Sequence, residues 1–151
     1  MVDTVDTNTR SWMMGRIRGK DTKPEMLVRK YLFAHGFRYR LHGRKLSGHP
    51  DLVLRKYGAV IFVHGCFWHR HEGCRDATTP STRVDFWCQK FKSNMSRDQR
   101  NVVTLMSSGW RVAIVWECHL KRMELRTLNA LEAWLKEGGQ SWTSDELCRG
   151  N

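Results

Sequence analysis

The sequence has no long apolar run. Stretches such as Ala59–Val63 fall far short of the ~20 residues that a bilayer-spanning helix requires, so a spanning helix is excluded. Prolines number three, and there is no internal repeat, low-complexity tract or linker. That leaves one compact unit of 151 residues, a length expected to bury roughly 70% of its unfolded surface. Acidic residues are scarce beside basic ones, 15 Asp and Glu against 26 Lys and Arg, for a formal charge of +11. An even cysteine set is also missing. Five cysteines, at 66, 74, 88, 118 and 148, argue against a disulfide framework. The opening MVDTVDTNTR is polar and carries no secretory character. The expectation is a cytoplasmic monomer with no membrane partner.

Apolar residues make up 40% of the chain and aromatics 11%, too much for a disordered basic tail. A pI of about 9.9 points to a polyanionic partner. The basic residues recur from Arg10 to Arg126, which favours a folded phosphate-binding surface over a flexible arm.

Periodicity and punctuation predict the elements. Arg10–Ile17 reads as a short basic helix carrying Trp12, Met13 and Met14. Thr22-Lys-Pro-Glu25 is a helix start, with Thr22 as N-cap, Pro24 in the first turn and Glu25 completing a capping box; Gly36 ends that helix. Strands are predicted at Phe37–Leu41, Pro50–Arg55 and Ala59–His64, the last two joined by a hairpin turn at Lys56-Tyr57-Gly58. A long helix runs from about Arg83 to Ser107, with an apolar stripe at 87, 91, 95, 102 and 105. Trp110–Glu117 is apolar enough for a strand covered on both faces, and Glu124–Glu137 is a helix closed by Gly138-Gly139. Residues 140–151 are read as a peripheral tail. This order of elements implies a three-layer α/β core with a mixed sheet.

Chemistry concentrates in His64-Gly-Cys-Phe-Trp-His-Arg-His-Glu-Gly-Cys74. Thiolates and imidazoles two or three residues apart can converge on a tetrahedral zinc. Cys66, His69, His71 and Cys74 all qualify, and Cys118-His119 adds donors; spacing alone leaves the choice of four open. Asp51 opens a strand that should be buried, where a free carboxylate is costly. The hairpin places it across from Val63 and His64, a hard-oxygen site suited to Mg²⁺, although a strand-end Asp can also point to water. Asp98 falls on the apolar stripe of the long helix, where an inward carboxylate needs a partner such as a histidine; in a rotated helix it would sit at the boundary beside an Arg. Glu25 is accounted for by the capping box. Phe67-Trp68 sit in a loop of polar ligands, an odd place for core residues, and exposed apolar side chains of this kind can wedge between base steps. Trp87 and Met14 fit that use or ordinary helix packing equally well, whereas Trp110, Trp116 and Trp134 read as core.

Taken together these residues resemble the very-short-patch repair (Vsr) endonucleases, DNA mismatch nickases. The likeness rests on Thr9-Arg10, Met14, Pro50-Asp51, Val60-Ile-Phe-Val-His-Gly-Cys-Phe-Trp-His69, Asp85-Phe-Trp87, Gly109-Trp-Arg-Val112 and Val115-Trp-Glu-Cys118. It covers about residues 9–120. The resemblance implies a restriction-endonuclease-like core and a nick just 5′ of the T in a T:G mismatch left by deamination of 5-methylcytosine. It implies that Asp51 and the Val63 carbonyl hold Mg²⁺, that His69 is the general base oriented by Asp98, and that His64 and Glu25 position metal-bound waters. Cys66, His71, Cys74 and Cys118 would hold a structural Zn²⁺. Phe67, Trp68 and Trp87 would intercalate beside the mismatch, with Met14 and residues 1–20 approaching the DNA from the minor-groove side. A mismatch-repair protein is a further partner to be expected. The chain departs from the family pattern in carrying Val63 in place of Thr, and in spacing His71 and Cys74 one residue wider. The rival readings are a restriction-type double-strand nuclease and a non-catalytic, zinc-stabilised DNA-binding module.

Overall fold

The structure, a computed structural model, describes residues 21–149. The expected Arg10–Ile17 helix, Met14 and the N-terminal DNA-contacting segment lie outside the described residues.

Helix α1 (Lys23–Ala34) starts where the sequence predicts. The Glu25 N–H donates to Thr22 Oγ1 at 3.3 Å, and Pro24 occupies the first turn. Only half of the capping box forms, because the Glu25 carboxylate turns into the protein and has no hydrogen-bond partner. Strands β1 (Arg40–Leu41), β2 (Leu52–Leu54) and β3 (Ala59–His64) are followed by a single helical turn, α2 (Cys66–His69). Then come α3 (Val84–Ser107), β4 (Arg111–Trp116), α4 (Glu117–Arg122), α5 (Glu124–Glu137), β5 (Ser141–Thr143) and α6 (Glu146–Arg149). None of these helices is long and apolar enough to cross a membrane.

The sheet order is β1-β2-β3-β4-β5. The first two pairings are antiparallel and the last two parallel, so the sheet is mixed and α/β as expected. Side-chain alternation along β3 assigns the layers. Ala59 and Ile61 join Val28 and Leu32 of α1 and Leu128 and Leu131 of α5 in one core. Val60 and Phe62 face the other way, onto Leu105 of α3. A strand covered on both faces has no polar side to alternate with, which is why β3 and β4 read as apolar runs.

Three expectations need correction. The β2–β3 loop takes in Arg55 as well as Lys56–Gly58, forming a 3₁₀ turn closed by left-handed Gly58. Leu54 therefore pairs with Ala59, and the register sets residue 51 opposite Phe62, one residue from the position expected. On α3, Met95 is 49% exposed, whereas Asn94 is buried together with Trp87, Phe91 and Leu105. The inward stripe thus passes through 94 rather than 95. Last, the segment read as a peripheral tail begins with residues that belong to the sheet and the core. Its residues Ser141–Thr143 add the fifth strand beside β4, and Trp142 is buried against that sheet.

Candidate active site

Five of the residues singled out in the sequence surround one cavity of about 530 Å³: Asp51, Val63, His64, His69 and Asp98. Three of them come from the β2 and β3 strand ends, His69 closes α2, and Asp98 comes from the inward side of α3. Arg97 and His49 also line it. The Asp51 carboxylate accepts a 2.7 Å hydrogen bond from the Val63 N–H. Burial pushes the Asp51 carboxyl up to about 7; neighbouring Glu25 adds to the rise, while the Val63 N–H and the His69 ring oppose it.

Glu25 is 1% exposed and both of its carboxylate oxygens lack hydrogen-bond partners. Arg29, one turn along α1, approaches Glu25 Oε1 at 3.3 Å, and His42 Nδ1 lies 3.7 Å away. Glu25 and Asp51 are thus neighbouring acidic groups, one ion-paired with Arg29 and the other pushed toward neutrality. Their oxygen donors suit a hard divalent cation.

His69 Nδ1 lies 2.6 Å from Asp98 Oδ2. Asp98 thus takes the inward position with a histidine partner, one of the two arrangements its sequence position allowed. The His64 ring stacks on the His69 ring at 3.8 Å between centroids, 4° from parallel. Burial, and then the charge of His69, hold His64 well below the ordinary imidazole pKa.

His69 and His71 go to different places. Between them Arg70 adopts a left-handed backbone, φ 55°, uncommon for a residue with a Cβ. Its guanidinium stabilises that turn by donating to the carbonyls of Phe67, Ala77 and Thr78 and by stacking 3.9 Å over Phe91. His71 is thereby sent toward the cysteines. The donor atoms of Cys66, His71, Cys74 and Cys118 all lie within 4.8 Å of one another, a set that could hold a metal ion. His71 Nδ1 is 3.3 Å from Cys118 Sγ and 3.7 Å from Cys66 Sγ. Burial pushes both thiols up, Cys118 to about 11, and a bound metal would displace those protons.

Next to this cluster is an aromatic group. Phe67 meets Trp68, Trp87 and Phe91 edge-to-face, at centroid distances of 5.0, 5.7 and 5.3 Å. Trp87 is 8% exposed and packs inside the group, with half-exposed Phe86 on its outer side. Phe67 and Trp68 are partly exposed. Trp134 is core as expected, and Trp110 and Trp116 are partly buried.

The profile of the family described as DNA mismatch endonuclease Vsr matches residues 2–76. The DNA mismatch endonuclease Vsr of Escherichia coli is 42% identical over 137 residues, covering 91% of this chain and 87% of that protein. The chain belongs to the Vsr family. Other relatives are named as nicking enzymes. Type II nicking enzyme V.XorIIP of Xanthomonas oryzae is 46% identical over 90% of this chain and 96% of its own length. Type II nicking enzyme V.NmeAIP of Neisseria meningitidis is 44% identical over 91% and 99%. This Vsr-family protein is accordingly a DNA endonuclease, and its cavity of carboxylates and imidazoles is the candidate catalytic centre.

Some participants could not be found from sequence. Asp145 bonds His71 Nε2 at 2.6 Å from 74 residues away, inside a segment with no motif of its own. Arg29 and His42 converge on Glu25 only because α1 and the turn after β1 fold together. The Arg70 turn had no local signal either, since neither glycine nor asparagine marks it.

Proposed function

We propose that this Vsr-family endonuclease nicks one strand of duplex DNA 5′ of the T in a T:G mismatch, by Mg²⁺-dependent phosphodiester hydrolysis on a restriction-endonuclease-like core. The observation that carries the reading is the meeting of Asp51, His69 and Asp98 at one cavity. Such a cavity would supply the two things hydrolysis needs, oxygen donors for a cation and a base for water.

Asp51, with the backbone carbonyl of Val63, would hold Mg²⁺, and Glu25 and His64 would order the waters around it. When bound, the ion neutralises charge on the phosphate and helps stabilise the departing 3′ oxygen. Asp98 accepts the Nδ1 proton of His69 and so leaves Nε2 with its lone pair toward the attacking water. Neutral, buried His64 braces the His69 ring without competing for that proton.

Cys66, His71, Cys74 and Cys118 would hold Zn²⁺, whose tetrahedral preference suits three thiolates and one imidazole. A closed four-ligand site leaves no open position, so its role is to pin the 66–74 loop to the β4–α4 junction and thereby fix His69. Phe67 and Trp68, backed by Trp87, would wedge beside the mismatch, where a wobble pair is easier to unstack. Residues 1–20, with Met14, would add contacts from the minor groove. A single domain acting as a cytoplasmic monomer, with a mismatch-repair protein as partner, completes the reading.

The test is one gel. Purified protein is offered labelled duplexes that differ only in T:G against C:G, with Mg²⁺ or with EDTA, and with varied flanking bases. A Mg²⁺-dependent nick 5′ of the mismatched T is expected. Cleavage of both strands of the C:G duplex would establish a restriction-type nuclease instead, and tight binding without cleavage would reduce the protein to a binding module.

A further inference from the structure

We propose that Asp145 is the positioning carboxylate of the metal-ligating His71, so that the C-terminal strand and turn form the outer half of the zinc centre. This rests on the reading that Cys66, His71, Cys74 and Cys118 bind zinc.

His71 has one nitrogen facing each way. Nδ1 is turned to the cysteine sulfurs, and Nε2 lies 2.6 Å from Asp145 Oδ1. A ligating imidazole must offer a lone pair, so Nδ1 has to be bare and the proton must sit on Nε2. Asp145 accepts that proton's hydrogen bond, which selects the ligating tautomer and makes Nδ1 a better donor to a cation. The ring plane is set independently by Trp116, stacked at 4.2 Å and 10°.

Asp145 is itself held in place. Its N–H donates to Thr143 Oγ1 at 3.3 Å, and the Ser144 N–H donates to the Ile114 carbonyl at 3.0 Å. Ser144 Oγ accepts from the Trp116 N–H at 3.0 Å and lies 2.6 Å from His119 Nδ1. These bonds tie the 143–145 turn to the end of β4 and to α4, the junction that also carries Cys118. The turn that supplies the carboxylate and the helix that supplies a thiolate therefore form one braced unit. His119 Nε2, 3.9 Å from Asp145 Oδ1, is a second imidazole beside the same carboxylate.

The experiment compares the full chain with Asp145→Asn, Asp145→Ala and Cys118→Ser. Zinc content is measured by elemental analysis, zinc affinity by competition with a colorimetric chelator, and melting temperature with and without metal. Cobalt-substituted protein adds the absorption spectrum of the thiolate–metal bonds. Wild type is expected to hold one zinc per chain and Cys118→Ser to hold none; full zinc in Cys118→Ser would sink the ligand reading itself. Given that baseline, Asp145→Ala should weaken zinc binding about 10- to 100-fold. Asp145→Asn, which keeps an acceptor oxygen but loses the charge, should fall between that variant and wild type. Wild-type zinc affinity in both Asp145 variants overturns the proposal, even with a lowered melting temperature, because that pattern marks a purely structural residue.

Discussion

His69 Nδ1 and Asp98 Oδ2 are 2.6 Å apart, one on the short turn after β3 and the other in the middle of the long α3 helix. A carboxylate can only accept, so the shared proton belongs to Nδ1, and in the neutral ring the lone pair is then on Nε2. His69→Ala should therefore lower nicking about 10²- to 10⁴-fold, the usual contribution of a general base, with mismatch affinity almost unchanged. Asp98→Asn should show a comparable loss, because an amide nitrogen facing Nδ1 favours the other tautomer. Single-turnover nicking beside fluorescence-anisotropy binding checks both, and a His69→Ala protein that cleaves at the wild-type rate would exclude His69 as the base.

Recognition should divide from catalysis at the aromatic group. The Trp68 carbonyl accepts a 3.1 Å bond from Asn94 Nδ2, which anchors its main chain to α3, while the indole is partly exposed. Trp68→Ala should cost about 1–3 kcal/mol of stacking, roughly 5- to 150-fold in affinity, for a T:G duplex and much less for its C:G parent. Phe67→Ala is a less clean probe, since that ring also supports Trp87 and Phe91. Equal losses on both duplexes would show that Trp68 supports the fold and does not read the mismatch.

How much of this is legible in the sequence depends on whether the cause is local. β3 and α5 carry their own signals: an apolar run buried on both faces, and a periodic stripe closed by Gly138. β5 has no such signal. Three residues with one large apolar side chain become a strand only because β4 offers a free edge and Trp142 a place in the core. The phase of α3 differs by one residue from its apolar pattern because Met95 looks more apolar than Asn94, yet Asn94 has the main-chain partner that offsets the cost of its burial. At the site, the residue types near 64–74 are plain to see. Which histidine goes to which centre depends on a left-handed Arg70, and that conformation is fixed by carbonyls up to Thr78 and by the Phe91 ring.

Removing the sulfur–imidazole site should be felt in stability before activity is considered. Cys118 is 3% exposed and lies in the first turn of a helix that also contacts α1 and α5. Cys118→Ser removes a proposed metal ligand and leaves a buried hydroxyl, so a loss of several kcal/mol is expected, each ~1 kcal/mol lowering Tm by about 2–4 °C. EDTA should lower the wild-type melting curve in the same direction and leave the Cys118→Ser curve where it is. An unchanged melt for the variant would remove the staple from the account.

The junction of α1 with α5 predicts an alkaline effect with a definite sign. Tyr31 Oη lies 2.6 Å from Asn129 Oδ1 and 2.9 Å from Glu132 Oε1. Burial, and then Glu132, push the phenol up to about 12 from its ordinary 10. The folded state thus resists ionisation that the unfolded chain accepts. Its contribution is complete below pH ~10 and is lost as pH rises from there toward about 12. Tyr31→Phe should be less stable than wild type at neutral pH by about 0.5–1.5 kcal/mol, the worth of one hydrogen bond. That gap should shrink between pH 10 and 12, since phenylalanine has nothing to ionise; the other titrating groups act alike in both proteins and cancel. Denaturant melts of the pair across that range measure the difference, and a gap that stays constant would mean Tyr31 ionises no later in the folded protein than in the unfolded chain.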